Sequence, residues 1–232
     1  MLGLRYFNSH DIRANKELIQ KFLDEEGGSP VITSGRALDI FLRHVKNKSS
    51  KILDVAPGTG SFLFSLMDKR YENLYAADID TYIKNGSLKL REYKKVDFCF
   101  DKLPWPDGFF DVVTSFETIE HLENPHNFIR EIRRILKSEG IFIMSTPNIQ
   151  HIFNRIFFFR KGDMPRWRKG NNHLAMFPKG LFEKSFLSYF DILEEGYYWG
   201  FFPYRFLSNL KGLPENKWFA HTVHYVFKPK TN

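Results

Sequence analysis

The sequence contains a single cysteine, Cys99. One thiol excludes an internal disulfide and a zinc cluster built from cysteines, and it is typical of a protein kept in a reducing compartment. The sequence also lacks a run of about 18 apolar residues, the length that a membrane-spanning helix needs. Charged residues such as Arg5 and Asp11 interrupt the apolar N-terminal stretch. We therefore expect no signal peptide and a cytoplasmic location.

Acidic residues are fewer than basic ones: 27 Asp and Glu stand against 34 Lys and Arg, which gives a net charge of +7 over 232 residues. Such a charge favours an anionic partner, such as a phosphorylated molecule, an acidic membrane surface or nucleic acid, although a basic surface can also serve only solubility. Hydrophobic residues make up 43% and charged residues 26%. This mixture is typical of a folded globular protein and excludes a disordered chain.

The pattern of apolar residues predicts alternating strands and helices. Leading helices are expected over 11–26 and 33–46, strands over 51–55, 73–77, 96–100, 110–114 and 140–144 with helices between them, and then a helix over 179–189 and strands over 191–199 and 222–227. Alternation of this kind predicts a doubly wound, mostly parallel α/β sheet. We expect a helical cap over 1–48 and the α/β domain over 49–232. Residues 148–178 have no stable period, which is typical of a lid or binding loop.

A glycine-rich turn, Asp54-Val55-Ala56-Pro57-Gly58-Thr59-Gly60, separates the first predicted strand from its helix. Small residues there let a ligand approach the backbone N–H groups and the helix N-terminus. A nicotinamide dinucleotide site would need glycines at 56, 58 and 61. The chain has Ala56, Gly58 and Ser61 instead. The turn therefore predicts a nucleoside cofactor other than a dinucleotide.

An acidic residue, Asp78, ends the second predicted strand about 20 residues after the turn, a spacing that suits hydrogen bonds to both hydroxyls of a ribose. The alternative is that Asp78 and Asp80 only cap the following helix.

These motifs resemble those of the class I, seven-stranded S-adenosylmethionine-dependent methyltransferases. Residues 52–60 are similar to the first motif of that family, with Ala56 in place of its first glycine. Leu103 to Val113, Ser115 to Leu122, Ser145 to Asn148, and Asn172-His173 followed by Phe177 to Phe186 resemble the methyltransferase type 11, ubiquinone-biosynthesis-like subgroup. The resemblance implies a seven-stranded Rossmann-like sheet with helices on both faces and S-adenosylmethionine as methyl donor.

The same resemblance implies a set of residues that hold the donor. They are Asp54, Ala56, Pro57, Gly58, Thr59, Gly60, Asp78, Ile79, Cys99, Phe100 and Ser115. The subgroup often has an acidic residue near the adenine at the position of Cys99, which here lies between Phe98 and Phe100. We therefore expect an apolar adenine slot, to which Asp97 or Asp101 could add a polar contact.

A second group, Glu117, Glu120 and His121, follows the fourth strand at the edge where the acceptor should approach. If the segment is an α-helix, these positions share one face. His121 could act as a general base with a carboxylate orienting it, or all three with His173 could bind a divalent ion such as Mg²⁺. The metal hypothesis follows from resemblance to small-RNA 2′-O-methyltransferases. The third possibility is that Glu120 and His121 only brace the helix.

Residues 151–162 interleave phenylalanines with cations. Such a segment can lie on a membrane surface, or its phenylalanines can pack on the domain as a lid. The segment resembles methyltransferases associated with surface polysaccharides and glycolipids, which implies O-methylation of a small molecule, a sugar or a lipid-linked glycan. The alternatives are the 2′-hydroxyl of RNA ribose, a quinone precursor, and a binding module without activity.

Overall fold

The computed structural model describes residues 30–83, 86–167, 172–199 and 214–231. The first predicted helix, 11–26, lies outside these residues. The strands are β1 Ile52–Val55, β2 Leu74–Asp78, β3 Glu92–Lys95, β4 Phe110–Phe116, β5 Leu136–Pro147, β6 Phe190–Tyr198 and β7 Thr222–Pro229. The α-helices are α1 Pro30–His44, α2 Ser61–Asp68, α3 Pro125–Ile135, α4 Ile152–Lys161 and α5 Lys179–Ser185, and two 3-10 helices span Ile119–His121 and Pro165–Trp167.

The strands form one seven-stranded sheet in the order β3-β2-β1-β4-β5-β7-β6. Strands β1 to β5 pair in parallel, and β7 pairs antiparallel with both β5 and β6. The predicted mostly parallel sheet is confirmed. From β1 the sheet extends to one side through β2 and β3, and from β4 it extends to the other side, so the strand order reverses between β1 and β4. In open α/β sheets, ligands bind in the crevice at such a point.

Helices cover both faces of the sheet, as predicted. On one face Ala37 and Phe41 of α1 and Leu63 of α2 are buried in the same cluster as Ile52 and Leu74 of β1 and β2. On the other face a second cluster contains Phe128 and Ile132 of α3 with the sheet residues Phe142 and Phe227. Central strands buried on both faces explain why β1 reads as an unbroken apolar run apart from Asp54. The division of the chain between residues 48 and 49 stays a prediction.

The third strand was placed wrongly from the sequence. The strand is Glu92–Lys95 and not 96–100, and it is the partly exposed edge of the sheet. An edge strand buries less of its surface, so it can be built from polar residues. Residues 97–101 instead form a turn in which the amides of Phe100 and Asp101 donate to the Asp97 carbonyl. The helices expected between β2 and β4 are not formed in the described residues 79–83, 86–91 and 96–109.

The segment predicted as a lid, 148–178, contains α4 and the 3-10 helix Pro165–Trp167. The segment therefore contains regular structure, although its apolar residues follow no regular spacing in the sequence. Among the residues that the structure describes, no helix is long and apolar enough to cross a bilayer.

Candidate active site

Residues 54–60, here called the glycine turn, connect β1 to α2 at the carboxyl edge of the sheet. Three of them have a positive φ: Ala56 at 55°, Gly58 at 53° and Gly60 at 82°. Ala56 is held there by a 2.8 Å hydrogen bond from its amide to the Ala77 carbonyl of the neighbouring strand. The backbone conformation that the family's first glycine would supply is thus reached with alanine.

Open space borders Gly58. A Cβ added to Gly58 would meet no atom within 4 Å, whereas one on Gly60 would lie 3.3 Å from Ile83. Gly60 is therefore packed against the protein, and Gly58 faces space that a ligand can occupy. Helix α2 begins at Ser61 directly after the turn, and no side chain of the described residues caps its N-terminus.

Asp78 ends β2 beside the glycine turn and is 6% exposed. Its carboxylate accepts hydrogen bonds from the amides of Ile79, at 2.7 Å, and Gly58. Burial outweighs these bonds and raises the pKa of Asp78 to about 7. A buried carboxylate gains from further donors, and two ribose hydroxyls would supply them.

Asp80, the other aspartate at this edge, pairs with different groups. Its carboxylate lies 2.6 Å from Lys95 Nζ and also accepts from the Thr81 amide. The other interpretation, that both aspartates cap a following helix, fails in the described residues because no helix starts at 79–83.

The segment expected to hold the adenine is the turn 97–101, which follows β3 at the same edge. Cys99 is buried, while the Phe100 side chain is 65% exposed. Asp97 accepts from the Cys99 amide at 3.0 Å, and Asp101 accepts from the Asp97 amide at 2.9 Å. Both carboxylates are thus used to hold the turn. A role in adenine binding for Cys99 and Phe100 stays a prediction.

Two further residues that were predicted to contact the methyl donor lie within the sheet. Asp54 is buried and accepts from the Thr114 hydroxyl at 2.7 Å, and burial raises its pKa to about 7. Ser115 is buried one residue before the end of β4. Both stand at the carboxyl ends of central strands, and contact with the donor remains a prediction for each.

Glu117, Glu120, His121 and His173 form what we call the acceptor cluster. Ligand atoms of Glu120, His121 and His173 all lie within 4.8 Å of one another. The rings of His121 and His173 are 4.7 Å apart. The local structure differs from the α-helix that the sequence analysis assumed: Ile119–His121 is a single 3-10 turn, and Glu117 precedes it with φ 50°.

Glu117 joins the cluster through other side chains. Its Oε1 accepts from the Ser145 hydroxyl at 3.1 Å, and its Oε2 lies 3.2 Å from Arg166 Nη2. Burial raises the pKa of Glu117, opposed by the charge of Arg166. Burial and the charge of Glu117 together hold the pKa of Glu120 well above its usual range. Glu120 Oε1 is buried and has no hydrogen-bond partner among the described residues.

Both imidazoles are neutral. Burial lowers the pKa of His121 to about 4, and burial with the neighbouring His121 and Arg166 lowers that of His173 to about 2. His121 Nδ1 lies 3.3 Å from the backbone oxygen of Asn172. A carbonyl only accepts, so Nδ1 carries the proton and the lone pair stays on Nε2. That lone pair can accept a proton or bind a cation.

Sequence reasoning missed Arg166 and Thr146. Arg166 comes from the aperiodic segment before His173, where no pattern distinguishes it from other cations. Thr146 follows Ser145 on β5 and donates to Glu120 Oε2 at 3.3 Å. Thr146 belongs to a motif that the sequence analysis named, but its partner Glu120 is 26 residues away in the sequence. The pairing of β4 with β5 brings the two residues together.

A cavity beside the cluster is lined mainly by aromatic and apolar side chains. Thr146 borders it together with Trp167, Met176, Phe182, Tyr197 and Tyr225. Because Thr146 contacts both this cavity and Glu120, the cavity adjoins the acceptor cluster. Its volume is about 30 Å³, room for about two water molecules, so its lining and not its size indicates a preference for apolar groups.

Comparison with known proteins identifies the central part of the chain. Residues 53–144 match the family model described as "Methyltransferase domain". A probable S-adenosylmethionine-dependent methyltransferase of Mycobacterium tuberculosis is 47% identical over 47 residues, which is 20% of this chain and 17% of the relative. The ubiquinone/menaquinone biosynthesis C-methyltransferase UbiE of Rickettsia bellii is 31% identical over 117 residues, 45% of this chain and 47% of the relative. The chain thus covers less than half of each relative.

Solved structures have the same fold. A SAM-dependent methyltransferase from Archaeoglobus fulgidus superimposes with a TM-score of 0.62 at 16% identity, over 90% of this chain and 98% of its own. A chain from the complex of the Haloferax volcanii Trm112 methyltransferase activator with a methyltransferase gives 0.63 at 15% identity, over 97% and 98%.

Proposed function

Because this chain carries a class I S-adenosylmethionine-dependent methyltransferase domain, we propose that it is an enzyme that transfers a methyl group to an acceptor hydroxyl. The observation that carries the proposal is the buried carboxylate of Asp78, which accepts from the Gly58 and Ile79 amides next to the open space at Gly58. S-adenosylmethionine, when bound, supplies an electrophilic methyl group on a sulfonium. The residues fit this group, since a glycine turn with open space and a buried ribose acceptor are what a nucleoside needs.

The donor side of the protein binds and orients. The glycine turn leaves room for the cofactor at Gly58, and Asp78 accepts from its ribose hydroxyls. The predicted contacts of Ile79, Cys99, Phe100 and Ser115 would complete the pocket. None of these residues needs to exchange a proton with the acceptor.

The acceptor cluster would prepare the hydroxyl. Nε2 of His121 carries a lone pair, and the carboxyl group of Glu120, whose pKa is held well above its usual range, lies beside the imidazole. However, a pKa of about 4 makes His121 a weak base at neutral pH, and general bases work best when their pKa is near the working pH. A base acting alone is therefore poorly matched to a sugar hydroxyl.

A divalent cation is the second candidate for this role, and the unpartnered Glu120 Oε1 favours it. Neutral imidazoles of His121 and His173 and the carboxylate of Glu120 would ligate the ion, and Glu117 would stabilise it through charge. A set with two imidazoles suits a first-row transition ion better than Mg²⁺, which prefers oxygen ligands. Bound to the hydroxyl, the ion would lower the pKa of that group.

For the acceptor we propose a sugar or small molecule, free or lipid-linked. The aromatic and apolar lining of the cavity beside Thr146 supports an apolar group next to the cluster, although this small cavity would have to widen to admit a ring. The similarity to UbiE supports a quinone precursor as the alternative, although it spans less than half of either chain. RNA ribose is a further alternative, supported by the basic net charge.

Donor binding and turnover test the proposal in two steps. Isothermal titration of the chain with S-adenosylmethionine should give a single saturable site. Mass spectrometry should then detect S-adenosylhomocysteine formed with a member of a panel of sugar nucleotides, lipid-linked sugars, quinols and short RNAs. A folded chain that binds no S-adenosylmethionine would refute the proposed methyltransferase activity, and only the similarity of fold would remain.

Metal binding has its own test. Titration of the metal-free chain with Mn²⁺ should show one site, and His173→Ala should remove it while His126→Ala, on the exposed side of α3, should not. Chelation should stop turnover and Mn²⁺ restore it. Full turnover in chelator together with no Mn²⁺ site would leave His121 as base or as brace.

A further inference from the structure

The helix α4 exposes an unusual combination of side chains. Phe159 is 91% exposed, Phe153 64% and Ile156 45%. These three positions are spaced by three residues, so they lie along one face of the helix. Arg155 and Arg160 are exposed on the same face. We call these five residues the aromatic-cationic face.

The face is held rigidly on the domain. Asn154, the buried residue of the helix, donates to the Asn148 carbonyl at 2.9 Å. The side chain of Asn148 in turn donates to the carbonyls of Lys217 and Ala220, and the Ile152 amide donates to the Trp218 carbonyl at 2.9 Å. The exposed phenylalanines are therefore presented by a fixed element.

The surface continues onto the loop before β7. Arg155 stacks over the Trp218 ring at 4.5 Å. Trp218 is 38% exposed and Phe219 39%, and Lys217 is exposed beside them. Aromatic and cationic groups are thus interleaved over two neighbouring segments.

The charge of the segment has one sign. Residues 148–162 contain Arg155, Arg160 and Lys161 and no aspartate or glutamate. Exposed phenylalanines gain by entering a hydrocarbon layer, and the cations beside them gain from anionic headgroups. We propose that the aromatic-cationic face docks this protein on an anionic phospholipid bilayer. This goes beyond methyl transfer, since none of these residues belongs to the glycine turn or the acceptor cluster.

The position of the face gives docking a purpose. Asn148, Ile149 and Gln150, which precede α4, line the aromatic cavity that Thr146 joins to Glu120. A bilayer against α4 would therefore contact the helix that begins two residues after Gln150, and an acceptor held in that bilayer would be kept close to the acceptor cluster.

Flotation with vesicles tests the proposal. The chain should float with vesicles of phosphatidylcholine and phosphatidylglycerol in equal parts and only weakly with phosphatidylcholine alone. Phe153→Ser with Phe159→Ser should lower the partition coefficient roughly a hundredfold, since each buried phenylalanine is worth about a factor of ten. Leu193→Ser, which removes a 51% exposed side chain from β6, is the matched apolar control and should leave binding unchanged.

Charge is tested separately. Arg160→Gln with Lys161→Gln should lower binding about fivefold for each cation removed. Lys69→Gln with Arg70→Gln removes an equivalent exposed pair after α2 and should have little effect. Circular dichroism and thermal melting show that each variant is folded. Equal vesicle binding by the wild type and both α4 variants would overturn the proposal, as would binding of short RNA by wild type without any vesicle binding.

Discussion

The glycine turn and Asp78 lie at the ends of two adjacent strands. The acceptor cluster instead combines side chains from two distant segments, with Glu117, Glu120 and His121 after β4 and His173 before α5. The donor side depends on backbone conformation and one carboxylate. The acceptor side depends on side chains that meet only when β4, β5 and the segment before α5 are packed together. The two sides should therefore respond differently to substitution, the first in affinity and the second in rate.

The largest effect is expected at the turn. Gly58→Val places a branched side chain in the open space beside Gly58 and strains a position with φ 53°, so binding of S-adenosylmethionine should fall below detection by calorimetry. Gly162→Val is the matched control, because Gly162 also has a positive φ, 65°, and open space around it. Retained affinity in a folded Gly58→Val chain would place the donor elsewhere.

On the acceptor side, His121→Ala should leave donor affinity nearly intact and lower turnover about 10²–10⁴-fold, the contribution of a positioned acid or base. Rates and titrations of the same preparation check both halves of this statement. A brace would give a lower melting temperature without a change in the pH profile of the rate. Equal losses of donor affinity and of turnover would contradict the separation of the donor side from the acceptor side.

A smaller effect is expected at the ribose carboxylate. Asp78→Ala should weaken S-adenosylmethionine by about 1–3 kcal/mol, because the ribose hydroxyls lose their acceptor. Asp80→Ala, which removes only the carboxylate paired with Lys95, should change affinity little. The reverse result from calorimetry would exchange the roles of the two aspartates.

The pH dependence of donor binding sharpens this further. In the free protein the pKa of Asp78 is raised to about 7 by burial, and ribose donors favour the ionised form, so its pKa falls in the complex. Binding should therefore release a proton near neutral pH, and affinity should drop as pH falls below about 7. Calorimetry in phosphate and in Tris measures the proton. Persistence of the release in Asp78→Asn would assign it to another group, with Asp54 the first to test.

The smallest expected effect is on thermal stability, at a residue that belongs to neither the donor side nor the acceptor side. Glu194 of β6 bonds Arg43 and His44 of α1 and His224 of β7. Burial raises its pKa, but these three partners outweigh burial and hold it at about 2. This stabilisation is fully present above the usual pKa of a glutamate and is lost as pH falls towards 2. Glu194→Gln should thus lower the melting temperature by a few degrees at pH 7, and less at pH 3. The exposed neighbour gives the control, Glu195→Gln, and equal melting of the two variants would contradict the role.

The sequence was informative where function depends on local backbone. Strand β1 runs directly into the turn, and Asp78 ends the next strand about 20 residues later, so sequence spacing predicts their arrangement. The edge strand β3 was misplaced because an edge can be polar, while the apolar residues Val96, Phe98 and Cys99 are buried at or beside a turn. Arg166 could not be predicted, since its contact with Glu117 spans 49 residues and depends on the fold of the segment after α4.

Hydrogen–deuterium exchange of the wild-type chain with and without S-adenosylmethionine tests the separation of the two sides most directly. The account predicts new protection in peptides that contain the glycine turn and Asp78, with exchange in residues 117–121 and in α4 unchanged. Protection confined to α4 or to residues 117–121, with the turn unaffected, would contradict it.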